Sequence, residues 1–254
     1  MLPALFVSHG APTLPFDDVP AREFLRRVDS GFEPPLAILT VSAHWETDVP
    51  SVNAVVRNET IHDFQGFPPP LYRLHYPAPG APELAGRIAS LLKEKGVNVC
   101  IDRNRGLDHG AWVPLMLAYP AATIPVLQLS VQPRADAAHH IALGQALAPL
   151  RDEGVLILGS GSFVHNLQAL EWRGGREPEW SRNFAAWMHE ALVEGRDRDL
   201  ENWRARAPDA AKAHPTDEHL LPLFVAYGAG GPPAVRLHDS VMFGTLRMDA
   251  YRFG

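Results

Sequence analysis

Residues 36–42 read Leu-Ala-Ile-Leu-Thr-Val-Ser, an apolar run in which polar residues do not alternate. A strand with one wet face alternates, whereas a strand covered on both faces does not. Such a run has to lie inside a sheet with layers on both sides. Runs of the same kind occupy 2–8, 125–131 and 155–159. Between them stand segments of helical period. The stretch 82–95 opens with Pro82 and Glu83, repeats Leu84, Ile88, Leu91 and Leu92, and stops at Gly96. Helices are also predicted over 21–29, 111–118, 136–150, 180–194 and 218–227, with 202–209 helical or mixed. Further strands are predicted at 51–57, 97–101, 235–237 and 245–251, and a long loop over 62–79. This alternation predicts an α/β fold: a single domain over 1–254 with a central, mostly parallel or mixed sheet flanked by helices. In such sheets the active site gathers at the strand C-terminal edge.

Composition narrows the function classes. The chain has 254 residues and is 46% hydrophobic, enough for one cored domain. A net charge of −6 argues against a nucleic-acid partner, and no basic run suits a membrane surface. The apolar start, residues 1–7, is too short for a signal-peptide core or a membrane span, which reads as a cytoplasmic protein. Cys100 is the only cysteine, so no intrachain disulfide can form, in keeping with a reducing compartment. Its place in a predicted strand makes it an expected buried small hydrophobe. Monomer and homodimer both remain open.

Five histidines then draw attention: His9, His44, His109, His165 and His219. Each sits at an element boundary among glycine, serine, tryptophan or acidic residues. His9, His44 and His165 follow predicted strands within a few residues, so they can converge at one sheet edge. Imidazole is the commonest metal ligand and titrates near neutral pH. Spacing alone leaves a metal site and a set of hydrogen-bonded structural histidines both open, because no compact His-Glu-x-x-His signature is present. Gly159-Ser160-Gly161-Ser162 is neither a Walker loop nor a nucleophile elbow, and reads as a close backbone approach that aims His165. His62, His75, His139, His140 and His189 read as structural.

A set of longer strings makes the pattern specific. They are 8–13 (Ser-His-Gly-Ala-Pro-Thr), 42–47 (Ser-Ala-His-Trp-Glu-Thr), 62–68 (His-Asp-Phe-Gln-Gly-Phe-Pro) and 76–82 (Tyr-Pro-Ala-Pro-Gly-Ala-Pro). Further on come 106–115, which holds Asp108-His109-Gly110, then 128–132, 159–166 and 214–219. In this order, through nearly the whole chain, they resemble the class III extradiol ring-cleaving dioxygenases, in the 4,5-DOPA dioxygenase branch.

The resemblance implies a non-haem Fe(II) site held by His9 and His44, with a third ligand from the segment around His219. Protocatechuate-type relatives offer a carboxylate there. Here His219 is the expected ligand, with Glu218 beside it. An all-imidazole site also suits Zn(II), so zinc is a possible occupant of the purified protein. The implied reaction opens the ring of a catecholic, DOPA-like small molecule with O2, giving a muconic semialdehyde. His165 is the implied acid–base residue and is placed where it can also touch the metal. His109 would hydrogen-bond substrate or oxygen, with Asp108 orienting its ring. His214, Trp45 and Phe67 are expected to touch substrate, and Phe64 and Tyr72 are further candidates for pocket walls. Arg57 and Arg73 read as surface residues. The alternatives are a zinc hydrolase on the same fold and a non-enzymatic binding protein.

Overall fold

The four apolar runs lie side by side. The structure, a computed structural model, describes residues 1–29 and 31–254. The runs become β1 (Ala4–Ser8), β2 (Ala37–Glu46), β5 (Val126–Val131) and β6 (Val155–Gly161), with β3 (Ser51–Asn53) and β4 (Cys100–Asp102) between β2 and β5 in the chain. Near the C-terminus follow β7 (Ala234–His238), the short pair β8 (Val241–Met242) and β9 (Leu246–Arg247), and β10 (Ala250–Phe253). The main sheet has the order β4-β3-β5-β2-β6-β1-β10-β7. Its centre, β5-β2-β6-β1, is parallel throughout, while β10 and β7 join antiparallel. The sheet is therefore mixed, with a parallel core.

Helices cover both faces, as the unbroken apolar strands require. The helices are α1 (Pro20–Leu25), α2 (Pro82–Glu94), α3 (His109–Ala118), α4 (Ala137–Leu147), α5 (Glu179–Glu194), α6 (Asp197–Glu201), α7 (Trp203–Arg206), α8 (Ala210–Ala213) and α9 (Leu221–Gly230). One core, with Leu39, Val41, Leu127, Leu129 and Ile157 from the strands, packs under α2, α4, α5 and α9. The second, with Leu5, Val7, Ile38, Val126 and Leu156, packs under α1 and α3. Alternate strand residues feed the two cores, as strand geometry demands. Among the described residues no helix is long and apolar enough to cross a membrane.

Several boundaries differ from expectation. β2 runs on to Glu46, with a register shift between Val41 and Glu46, so His44 and Trp45 lie within the strand end. α3 begins at His109 because Asp108 caps it, its side chain accepting from the Ala111 N–H. The stretch 245–251 divides into β9 and β10, and the helix expected from 218 starts at Leu221. Cys100 is exposed, not buried. It lies on β4, a three-residue edge strand with a neighbour on one side only.

Candidate metal centre

Parallel register places the histidines on one level. Ser160 of β6 pairs with Val7 of β1 and Ser42 of β2, so the carboxyl ends of β1, β2 and β6 coincide. His9 comes next after β1, its N–H bonded to the Gly161 carbonyl at 3.0 Å. His44 enters from β2, His109 from the first turn of α3, and His165 and His219 from the segments after β6 and before α9. Ring centroids of His9 and His44 are 4.9 Å apart, those of His44 and His109 4.0 Å, and those of His44 and His219 4.8 Å. All five histidines line one cavity of about 250 Å³ together with Phe64 and Phe67.

Hydrogen bonds set which ring nitrogen is bare. Pro114 lies inside α3 and cannot donate to the carbonyl four residues back, that of Gly110. The Ser160 hydroxyl donates to this freed carbonyl. Its hydrogen thus committed, Ser160 Oγ accepts from His9 Nδ1 at 3.1 Å. His9 therefore carries its hydrogen on Nδ1, and Nε2 presents a lone pair. His44 Nδ1 lies 3.7 Å from Asp63 Oδ2, His109 Nδ1 donates to the same oxygen at 2.9 Å, and His219 Nδ1 donates to Glu218 Oε1 at 2.9 Å. The two hydrogen bonds favour Nδ1–H and a bare Nε2 on His109 and His219.

The Nε2 atoms of His9 and His44 face each other at 3.1 Å. Such a spacing is what two neutral imidazoles adopt when both nitrogens point at one cation. Two imidazoles bound to one ion at about 2.1 Å hold their nitrogens roughly 3 Å apart. The donor set therefore fits a divalent metal. Ring nitrogens of His9, His44 and His109 lie within 4.8 Å of one another, and the ligand atoms of His165, Glu218 and His219 form a second such group. Burial, the facing ring of His44 and the other histidines hold His9 well below its ordinary range. Burial, with His165 next, does the same to His219. Burial pushes His44 down to about 3 and His165 to about 4. Neutral imidazole is the form that binds a metal.

Asp63 is a functional residue that local spacing does not single out. Burial would raise its carboxyl, but the ring and backbone hydrogen bonds from His109 outweigh it and hold it below the usual carboxylate range. Its Oδ1 accepts the His109 N–H at 2.9 Å while Oδ2 takes the ring, so one carboxylate fixes both backbone and imidazole. The expectation that Asp108 orients His109 is corrected. Asp108 accepts from Ser42 Oγ at 2.7 Å, Arg105 Nη2 at 2.9 Å and Gln128 Nε2, locking α3 to β2. The string His62-Asp63-Phe64 held the signal, but a partner 46 residues away is invisible to local spacing.

Of the residues expected to touch substrate, Phe67 lines the cavity and two others do not. Trp45 points to the opposite side of β2 from His44, as alternation requires, and lies under the Arg105 guanidinium at 5.0 Å. His214 is wholly buried between Phe184 and Trp203, its Nε2–H donating to the Phe163 carbonyl at 3.1 Å. Tyr72 stands behind Phe64 at 5.3 Å. His165 is held by stacking on His219 and by its backbone N–H to Ala213. His189 is half-buried, bonded to the Tyr251 hydroxyl at 3.1 Å. Arg57 and Arg73 are exposed, as expected.

The family described as the catalytic LigB subunit of aromatic ring-opening dioxygenase matches residues 3–254. The chain belongs to this family. It is 49% identical to the 4,5-DOPA dioxygenase extradiol of Beta vulgaris, over 98% of this chain and 95% of that one. It is 38% identical to the protein of the same name from Escherichia coli K12, over 100% and 95%. A crystal structure of an uncharacterized Escherichia coli K12 protein superposes with a TM-score of 0.82 at 33% identity, covering both chains fully. This LigB-family chain is an extradiol ring-opening dioxygenase, which decides between ring opening and the hydrolase alternative. Its reaction takes a small aromatic molecule and O2, and its histidine cluster is of metal-binding type.

Proposed function

We propose that the cavity opens the ring of a catechol of DOPA-like size on an Fe(II) ion held by His9, His44 and His219. The single observation carrying this reading is the 3.1 Å approach of His9 Nε2 and His44 Nε2. Iron, when bound, supplies the electron transfer that spin-paired ring carbons and O2 cannot manage directly; zinc would fill the same donors and be silent. The protein supplies the rest. Phe64 and Phe67, set edge to face at 5.3 Å, give the aromatic ring an apolar wall on one side of the cavity and exclude water there. His165, neutral at physiological pH, takes a catechol hydroxyl proton on a ring nitrogen and returns it to the opening product. His109, oriented by Asp63, points Nε2 at the reacting face.

His109 is the second reading for the third ligand, because its ring nitrogen groups with those of His9 and His44. The exposed single thiol and the absence of a cysteine partner suit a reducing cytoplasmic setting, with the chain as monomer or homodimer. The experiment is oxygen uptake by anaerobically Fe(II)-loaded protein over a panel of catechols. Uptake matched by the yellow colour of a semialdehyde, and absent with zinc, is expected. Metal-loaded protein inert to every catechol would overturn the reading.

A further inference from the structure

The cavity has a histidine floor and an upper wall of different chemistry. Leu167, Leu170, Trp172, Phe243 and Leu246 form that wall. Among the described residues no lysine, arginine, aspartate, glutamate, asparagine or glutamine lines the cavity. Apart from the histidines, its one polar side chain is Ser162, whose hydroxyl donates to the Val164 carbonyl at 2.8 Å. Arg247, beside Leu246, is held in ion pairs with Glu177 at 2.8 Å and Asp249 at 3.3 Å. A substituent carboxylate lying away from the histidine floor would find no lysine or arginine along this wall.

The rim sharpens the point. Leu167 is 62% exposed and Trp172 66% exposed, the latter against Phe243 at 5.0 Å between ring centroids. Large apolar side chains left open to water at a cavity mouth lose free energy until something apolar covers them. They are continuous with the floor where the catechol oxygens would bind, so a substituent on the substrate ring is what reaches them. A zwitterionic side chain would lay two charges on this surface without partners.

We propose that the preferred substrate is a catechol whose ring substituent is uncharged and apolar, a few carbons or one further ring, seated on Leu167, Trp172 and Phe243. This rests on the ring-opening reading above and specifies what that reading leaves open. The wall, not the metal, then sets which catechol is taken.

The test is anaerobic calorimetric titration of the Fe(II)-loaded enzyme with 4-n-butylcatechol, L-DOPA, dopamine and 3-(3,4-dihydroxyphenyl)propionate, followed by kcat/KM for each from oxygen uptake. Butylcatechol is expected to bind at least about tenfold more tightly than every charged catechol. Leu167→Ser and Trp172→Ser, both at exposed positions, should each narrow that gap. A gap below tenfold, or one unchanged in both variants, overturns the proposal. Binding in the expected order with no oxygen uptake, iron being retained, would instead overturn the ring-opening reading, so the two failures differ.

Discussion

His165 lies flat on His219, ring centroids 3.5 Å apart and planes 12° from parallel. The pair divides the labour. His219 has Nδ1 fixed by Glu218 and is buried, while His165 is anchored by stacking and its backbone. A ring fixed through Nδ1 suits a ligand; a stacked ring without that anchor suits proton transfer. His219→Ala should lose iron together with activity. His165→Ala should keep near-stoichiometric iron and lose roughly 10²–10⁴-fold in kcat. Iron content beside oxygen uptake decides it; equal loss of both in His165→Ala would make that residue a ligand. Retained iron in His219→Ala, with loss in His109→Ala, would hand the third position to His109.

Asp63 ties His109 through both ring and backbone, and reaches toward His44. Asp63→Ala removes the group that fixes their orientation while leaving every imidazole in place. Carboxylates that orient ligating or reacting histidines typically contribute about 10–100-fold in metal affinity or activity. Asp63→Ala should show both effects in that range, and Asp63→Asn, which keeps an acceptor oxygen, should recover part of the loss. A full-activity Asp63→Ala would show that packing alone orients the rings.

The sheet was legible because its signal is local: an unbroken apolar run such as that of β2 has few other places to go. The convergence of His9, His44 and His165 followed from parallel strands ending on one edge. What local sequence does not carry is long-range or depends on facing. Asp63 acts on a residue 46 positions on, and Ser160 fixes the His9 tautomer only because Pro114 frees a carbonyl from a third element. Trp45, next to His44, was expected in the pocket, but neighbours in a strand face opposite ways. His214 lay in a matching string yet serves the core, its ring bonded to the Phe163 carbonyl. Cys100 needed the strand order before its exposure could be read.

The glycines of β6 are where the site meets the α9 side of the sheet. A methyl at Gly161 would intrude on the His219 carbonyl oxygen, and one at Gly159 on the Pro222 carbonyl. Both obstacles are backbone and cannot rotate away. Gly161→Ala should therefore push the His219 segment off β6, costing about 1–3 kcal/mol of stability and weakening metal retention. Gly159→Ala should cost similar stability with less effect on metal, because it presses one turn further along. Urea unfolding with metal analysis separates the two. Equal metal loss in both variants would mean that the segment moves as one body.

His140 links acid lability to a group remote from the metal centre. Its Nδ1–H donates to the Asp136 carbonyl at 2.8 Å and its Nε2 accepts from the Gln132 N–H at 3.2 Å, and the accepting Nε2 requires the neutral ring. Burial pushes its pKa down to about 4, against an ordinary value of 6.5. Below pH 6.5 the unfolded chain takes up a proton that the folded one refuses, so stability falls as pH drops from 6.5 to 4. Under pH 4 both states are protonated and this contribution stops changing. A fully buried ring with that shift loses roughly 3 kcal/mol across the window. Burial holds His214 at about 3, so it adds in the same direction. His140→Gln keeps a neutral donor and acceptor with nothing to titrate. Its urea midpoint should therefore fall less than that of the parent protein between pH 7.5 and 4.5; parallel profiles would show that His140 is already charged in the native state.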